Sequence, residues 1–384
     1  TLAISMFVEE PNTKLALRFI AVVITTAQPG YFLEELAIAR HRFTLRAREA
    51  VLEASVNLTG CLLLAAPFGI FGVGISSVTA SILGLLILWR GTGFRFTLVK
   101  DWIRTKLLVK EGLPFALSEG GFEMLRRLDI LVMALVLGPV IVGYYGISLL
   151  IMDFSLMFAR GAVAQVLSPH LLRKFGETGS FSEVAIYYEV PARLFSYTLP
   201  VLLGLGACLL HPIIPLILPQ YENGVPAAQI TMWSLAFVAV HSSISSFLVA
   251  AKRIPSVLRI FFGLLPVAAL GQWVVLSSGM GLEGAAWVTF CTLGVAACGE
   301  LALAQRQVGR SGAQILMYLT SLVLPLVIAI GCFDLARTAA AGMAPPGVWM
   351  RAVFHAGLFA GFYSPVLLAY EYHFSMLRMV REAQ

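Results

Sequence analysis

Apolar windows separated by short basic clusters run along the whole 384-residue chain. Crossing the hydrocarbon of a bilayer takes about 20 residues of α-helix. Windows of that length fall at 15–37, 50–68, 72–90, 114–138, 140–166, 191–217, 226–250, 256–277, 281–304, 313–334 and 349–371. The pattern predicts an all-α polytopic membrane protein with about eleven spans. One window breaks the rule. Between Pro114 and Gly138 it carries Glu119, Glu123, Arg126, Arg127 and Asp129, with the arginines near its middle. At about 100° per residue these five groups fit an arc of about 160°. Ile130, Leu131, Val132 and Leu135 are left to meet lipid or other helices. A charge at the bilayer centre costs about 3 kcal/mol on insertion scales. Such groups persist when they face a protein interior or a watery cavity, which points to a transporter with this helix along its path.

Composition agrees: 59% of residues are hydrophobic and 12% charged, against about 25% charged in soluble proteins. Cys61, Cys208, Cys291, Cys298 and Cys332 lie in apolar segments with no C-x-x-C pair, so they read as membrane-helix residues rather than metal ligands or disulfides. The net charge of +6 is no nucleic-acid signature, because the basic residues sit between spans. Twenty of the 27 lysines and arginines fall on one side of the predicted topology, in loops such as 40–48, 90–110, 252–259 and 306–310. Lys14, Arg18, Arg337 and Arg351 fall on the other. By the positive-inside rule the first side is cytoplasmic, with residue 1 outside and the C-terminus inside.

An internal repeat organises the spans. Ala39-Arg-His-Arg-Phe-Thr-Leu and Gly69-Ile-Phe-Gly-Val-Gly are echoed by Ala251-Lys-Arg-Ile-Pro-Ser-Val and Gly281-Leu-Glu-Gly-Ala-Ala, both at an offset of 212 residues. The copies run parallel, a known transporter architecture. Three spans precede the second copy, so the repeat predicts three helices upstream of Thr1 and an N-terminally truncated chain. The complete protein would have fourteen helices: two pseudo-symmetric six-helix lobes and a final pair. The expected divisions are 1–92 for the rest of the N-terminal lobe, 93–111 for a basic amphipathic cytoplasmic linker, 112–310 for the C-terminal lobe, and 311–384 for the pair and tail. The charged helix then opens the second lobe and lines a cleft between lobes.

Gly112-Leu-Pro-Phe-Ala-Leu, Arg127-Leu-Asp-Ile-Leu-Val and Leu137-Gly-Pro-Val-Ile-Val-Gly-Tyr-Tyr are followed by Ser168-Pro-His, Leu216-Ile-Leu-Pro-Gln-Tyr and the Gly281 hairpin. In that order they resemble the bacterial polysaccharide (O-antigen and exopolysaccharide) flippases of the multidrug/oligosaccharidyl-lipid/polysaccharide exporter superfamily. Glu119 and Glu123 make the charged helix more acidic than the family pattern. The resemblance implies a glycan on a polyprenyl diphosphate carrier as cargo and alternating access. It also implies H+ or Na+ coupling in some relatives, a bacterial cytoplasmic (inner) membrane location, and work beside a polysaccharide polymerase and chain-length proteins.

A diphosphate calls for fixed positive donors, which guanidinium supplies bidentately. On that basis Arg126, Arg127 and Arg160 are the candidate substrate contacts. Glu119, Glu123, Asp129 and Asp153 are candidates for ion coupling or a gate. The alternative is that these charges only neutralise one another. Gln28-Pro29-Gly30 predicts a helix break or kink. Glu34 and Glu35 read as a solvated rim, and His211, His241 and His355 as isolated packing residues. No metal site, Walker loop or catalytic constellation appears, so a secondary transporter is expected rather than an enzyme. A drug or cation antiporter or peptidoglycan-lipid flippase of the same superfamily is the nearest alternative. The arginine pair argues against a drug exporter. A membrane glycan polymerase is disfavoured by short outer loops at 212–226 and 335–348.

Overall fold

The computed structural model describes residues 11–94, 101–159, 165–343 and 347–374. Every regular element in that part of the chain is helical. Seven of the helices are long and apolar enough to cross a membrane, and Pro139–Asp153 is a shorter apolar helix. The protein is an all-α polytopic membrane protein, and the described residues of each of the eleven apolar windows fall on helix. The chain forms two compact units, Thr1–Asp101 and Trp102–Gln384.

The first unit holds α1 (Pro11–Ala39) and α2 (Phe43–Thr92). Its two α2 windows meet at Gly69, whose φ of 55° and ψ of −133° are non-helical. A side chain would strain that backbone, and glycine accepts it. Beyond it the chain folds back. Ser76 Oγ donates to the Asn57 carbonyl (2.8 Å), Ser77 Oγ reaches Asn57 Oδ1 (3.3 Å), and Arg40 donates to the Thr92 carbonyl (3.0 Å). Of the break or kink expected at Pro29-Gly30, the break is absent, because α1 continues through both residues. A proline removes one rung of hydrogen bonding, and membrane helices tolerate that when local hydroxyls bond the backbone.

The second unit comprises α3 (Trp102–Val136), α4 (Pro139–Ala159), α5 (Gln165–Thr178), α6 (Phe181–Val184), α7 (Ile186–Ile217), α8 (Val225–Ala250), α9 (Ile254–Ser277), α10 (Gly281–Gln307), α11 (Gly312–Met343) and α12 (Val348–Phe374). Within the stretch expected as a linker, the residues from Trp102 form the start of α3, which runs on past Gly112 and Pro114. Helix α8 is the axis. It is buried along most of its length from Val225 to Leu248, with α4, α7 and α10 packed on it. Helices α3 and α9 pair beside α10, and α11 and α12 pack on each other and on α7. The start of α7 is tied to the end of α10 and the turn after it by Glu189, which accepts from Arg310 (2.7 Å) and Gln305 (3.0 Å). The guanidinium of Arg193 lies over the Tyr318 ring at 5.3 Å.

The repeat has a backbone signature. The αL residue after α1 is His41 and that after α8 is Lys252. His41 N–H donates to the Ile38 carbonyl and Arg42 N–H to Ala37, while Lys252 N–H donates to Val249 and Arg253 N–H to Leu248. Each is the paired 5→2 and 6→1 closure of a Schellman cap. The caps are 211 residues apart and the positive-φ glycines Gly69 and Gly281 are 212 apart.

Close packing of α12 on α7 depends on Gly204. A Cβ there would enter the ring of Phe359, itself fully buried. Gly204→Leu is expected to cost about 1–3 kcal/mol through overpacking, and Gly204→Ala less. Thermal unfolding followed by intrinsic fluorescence checks this. An unchanged midpoint in the leucine variant means that α12 is not seated there.

Candidate functional site

The charged helix α3 enters the bundle between α4, α9 and α10, and the five ionisable groups beyond Pro114 divide into three settings. The first is an ion-pair cluster with α4. Arg126 holds Glu123 Oε2 through Nη2 (2.8 Å) and Nε (3.2 Å). Arg126 Nη1 lies 2.8 Å from Asp153 Oδ1, a contact whose angles do not make a hydrogen bond. Arg127 donates to both Asp153 oxygens, at 2.9 and 3.1 Å, and approaches Glu123 at 3.4 Å. The i,i+3 and i,i+4 spacing from Glu123 to the arginines dictates the local half of this cluster. The other half requires α4 to bring Asp153 across. Two guanidiniums and two carboxylates leave it formally neutral.

Exposure in this cluster is uneven. The Arg126 side chain is 3% exposed, whereas Arg127 is 44%, Asp153 48% and Glu123 36% exposed. The buried guanidinium is fixed by its neighbours, and those neighbours present an open polar face. A ligand oxyanion reaching that face could exchange with a carboxylate for the arginine donors.

The second setting is Asp129, buried and apart from the arginine cluster. It accepts from Tyr145 Oη (2.7 Å, α4), Thr289 Oγ1 (2.9 Å, α10) and the Ile130 amide (2.8 Å). Gln272 of α9 extends the network by donating to Thr289 Oγ1 (3.1 Å) and the Ala285 carbonyl (3.0 Å). Asp129 thereby joins α3, α4 and α10. Leaving a buried donor unpaired costs about 1–3 kcal/mol. Asp129→Ala is therefore expected to lower stability by about 3 kcal/mol, and Asp129→Asn, which keeps an acceptor oxygen, by less. The comparison is a thermal melt of both variants in one detergent; equal midpoints for alanine variant and wild type would remove the tether.

The third setting lies around Glu119, which lines a small internal space of about 10 Å³ with Ser118, His241, Ser245 and Glu300. His241 Nδ1 is 2.8 Å from Glu300 Oε2, and both side chains are buried. The Phe122 ring stacks on the imidazole at 3.8 Å, and Phe261 meets it edge-on at 5.9 Å. Helices α3, α8, α9 and α10 thus enclose a histidine–carboxylate pair. His241 is not the isolated packing residue that its sequence neighbourhood suggests. The one sequence signal for Glu300 is that it is a lone carboxylate in an apolar span; its partner is 59 residues away.

Arg160 lies outside the described residues. Pro29 and Gly30 lie within α1 of the first unit. Glu34 there is paired with Arg46 (3.0 Å) and half-buried rather than a solvated rim. Arg46 also pairs with the buried Glu49. Among the described residues no group of three or more His, Cys, Asp or Glu is arranged to hold a metal ion.

A family model described as "Polysaccharide biosynthesis protein" matches residues 2–226. That stretch takes in the first unit and, in the second, α3 to α7 with the arginine cluster. No curated protein matches the chain.

Proposed function

This chain belongs to the polysaccharide biosynthesis protein family, and from that premise we propose that it flips a polyprenyl-diphosphate-linked oligosaccharide across the bacterial cytoplasmic membrane for cell-surface polysaccharide assembly. The observation that carries this reading is the α3–α4 cluster. It holds one guanidinium buried and fixed, and a second guanidinium and two carboxylates open beside it. An incoming diphosphate replaces the carboxylates at the arginine donors with charge-assisted bidentate bonds. The carboxylates recapture the arginines when the cargo leaves. Each state keeps the guanidiniums paired, which avoids the high cost of an unpaired charge away from water. In this reading Arg126 and Arg127 bind the headgroup, and Glu123 and Asp153 act as the gate. Asp129 keeps the helices in register.

The transport cycle is coupled to protons at His241 and Glu300, with Glu119 facing the same space. An imidazole paired with a carboxylate can take up a proton and pass it on. The C-terminus lies in the cytoplasm, and a polysaccharide polymerase and chain-length proteins receive the product.

The experiment is deletion of the full-length gene in its own host. A flippase deletion accumulates lipid-linked glycan on the cytoplasmic leaflet and leaves drug susceptibility unchanged. Glycan that reaches the outer leaflet but stays unpolymerised would instead indicate a polymerase. Increased drug sensitivity with normal surface polysaccharide would indicate an antiporter.

A further inference from the structure

A second cationic site stands at the opposite end of the second unit from the Glu189 tie. The C-terminal ends of α7 and α11 and the N-terminal ends of α8 and α12 enclose a cavity of about 250 Å³. Its polar wall is His211, Gln229, Arg337, Arg351 and His355, completed by Cys208 and small alanine and valine positions. Among the described residues no carboxylate lines it. Four helices from distant parts of the chain therefore bring two arginines, two histidines and an amide to one opening, at the end that the positive-inside pattern places outside the cytoplasm. Neither arginine has an ion-pair or hydrogen-bond partner among the described residues. Gln229 uses one amide hydrogen to donate to the Ala207 carbonyl (2.8 Å), which fixes the side chain and leaves the other hydrogen. His355 Nε2 sits 3.2 Å from the Phe333 carbonyl. Asp334, outside the wall on α11, acts electrostatically on His355; one carboxylate does not balance two guanidiniums.

We propose that this cavity is a diphosphate-binding site, distinct from the α3–α4 cluster, that receives the pyrophosphoryl group of a lipid carrier at the outer face. Two guanidinium forks on separate helices match the separated oxygens of a diphosphate. The cavity's size suits a phosphoryl headgroup rather than a whole glycan, and small ligand pockets begin at about 300 Å³. The inference rests on the flippase reading only for the source of the diphosphate; the binding chemistry stands without it.

The test uses the purified full-length protein in phosphatidylcholine nanodiscs, with inorganic pyrophosphate titrated calorimetrically. The double variant Arg337→Gln/Arg351→Gln is expected to bind pyrophosphate at least tenfold more weakly than wild type, and polyprenyl diphosphate to compete in wild type. Equal pyrophosphate affinity in the two proteins overturns the site. Inorganic phosphate binding as tightly as pyrophosphate overturns the diphosphate assignment. Competition by phosphatidylglycerol, with none by polyprenyl diphosphate, overturns the carrier as source. If the double variant melts early, Arg337→Lys and Arg351→Lys keep the charge and lose the fork, and each is expected to weaken pyrophosphate binding. A protein that binds pyrophosphate here yet whose deletion leaves glycan export intact would keep the site and reject the flippase reading.

Discussion

Arg126→Ala is expected to cut glycan export by at least 100-fold. That corresponds to about 2.7 kcal/mol, at about 1.4 kcal/mol per tenfold, well within what two charge-assisted bonds to a diphosphate supply. The variant also leaves Glu123 and Asp153 with Arg127 as their one remaining partner in the cluster. Removing one member of a buried ion pair costs about 3–5 kcal/mol, reduced here because both carboxylates are partly exposed. Protein level must therefore be separated from transport. The double variant Glu123→Gln/Arg126→Gln removes one charge of each sign and keeps the cluster neutral. It should accumulate in the membrane close to wild type and still fail to export. Outer-leaflet lipid-linked glycan, normalised to membrane protein, is the measurement. Normal export by either variant would mean that the arginine is structural only.

Glu300→Gln is expected to uncouple transport from the proton gradient. Glutamine preserves the volume of the side chain and a hydrogen-bonding partner for His241 Nδ1, so α8 and α10 stay packed. It cannot ionise, so the pair loses its proton exchange. In proteoliposomes an imposed pH difference should accelerate flipping of a labelled lipid diphosphate by wild type and have no effect on the variant. Slow exchange without a gradient should remain. A variant that still responds fully to the gradient places the coupling elsewhere. Glu119→Gln, on the facing wall, should weaken the response without abolishing it.

The helices were legible because the hydrocarbon imposes one requirement on every span, and a run of apolar residues announces it. Even the two halves of α2 were separable, with Gly69 between them. The local half of the charged cluster was also legible, since Glu123, Arg126 and Arg127 are neighbours on one helix. The partition of the five charges was not. Helical angles place Asp129 within the same arc as the arginines, and only the approach of Tyr145 and Thr289 from other helices draws it into a separate buried network. His241 and Glu300 were invisible as a pair for the same reason, as were Arg337 and Arg351 as walls of one cavity. Packing between helices joins positions that no sequence spacing links. Pro29 shows the converse: its local breaking tendency does not end α1, which continues as helix through it.

The reversal of α2 at Gly69 gives the first unit a hairpin with unlike ends. The chain turns there with no polar connection, and its flanking residues, Ala66-Pro-Phe before and Ile-Phe-Gly after, are apolar. The arginines lie at the two feet, at 40–48 and at Arg90, where Arg40 and Arg42 donate across to the carbonyls of Thr92 and Gly91. Ser76 and Ser77 of one half meet Asn57 of the other. Each half thus covers polar groups that the other would leave to lipid, so the pair, rather than either helix, is the unit that suits a bilayer.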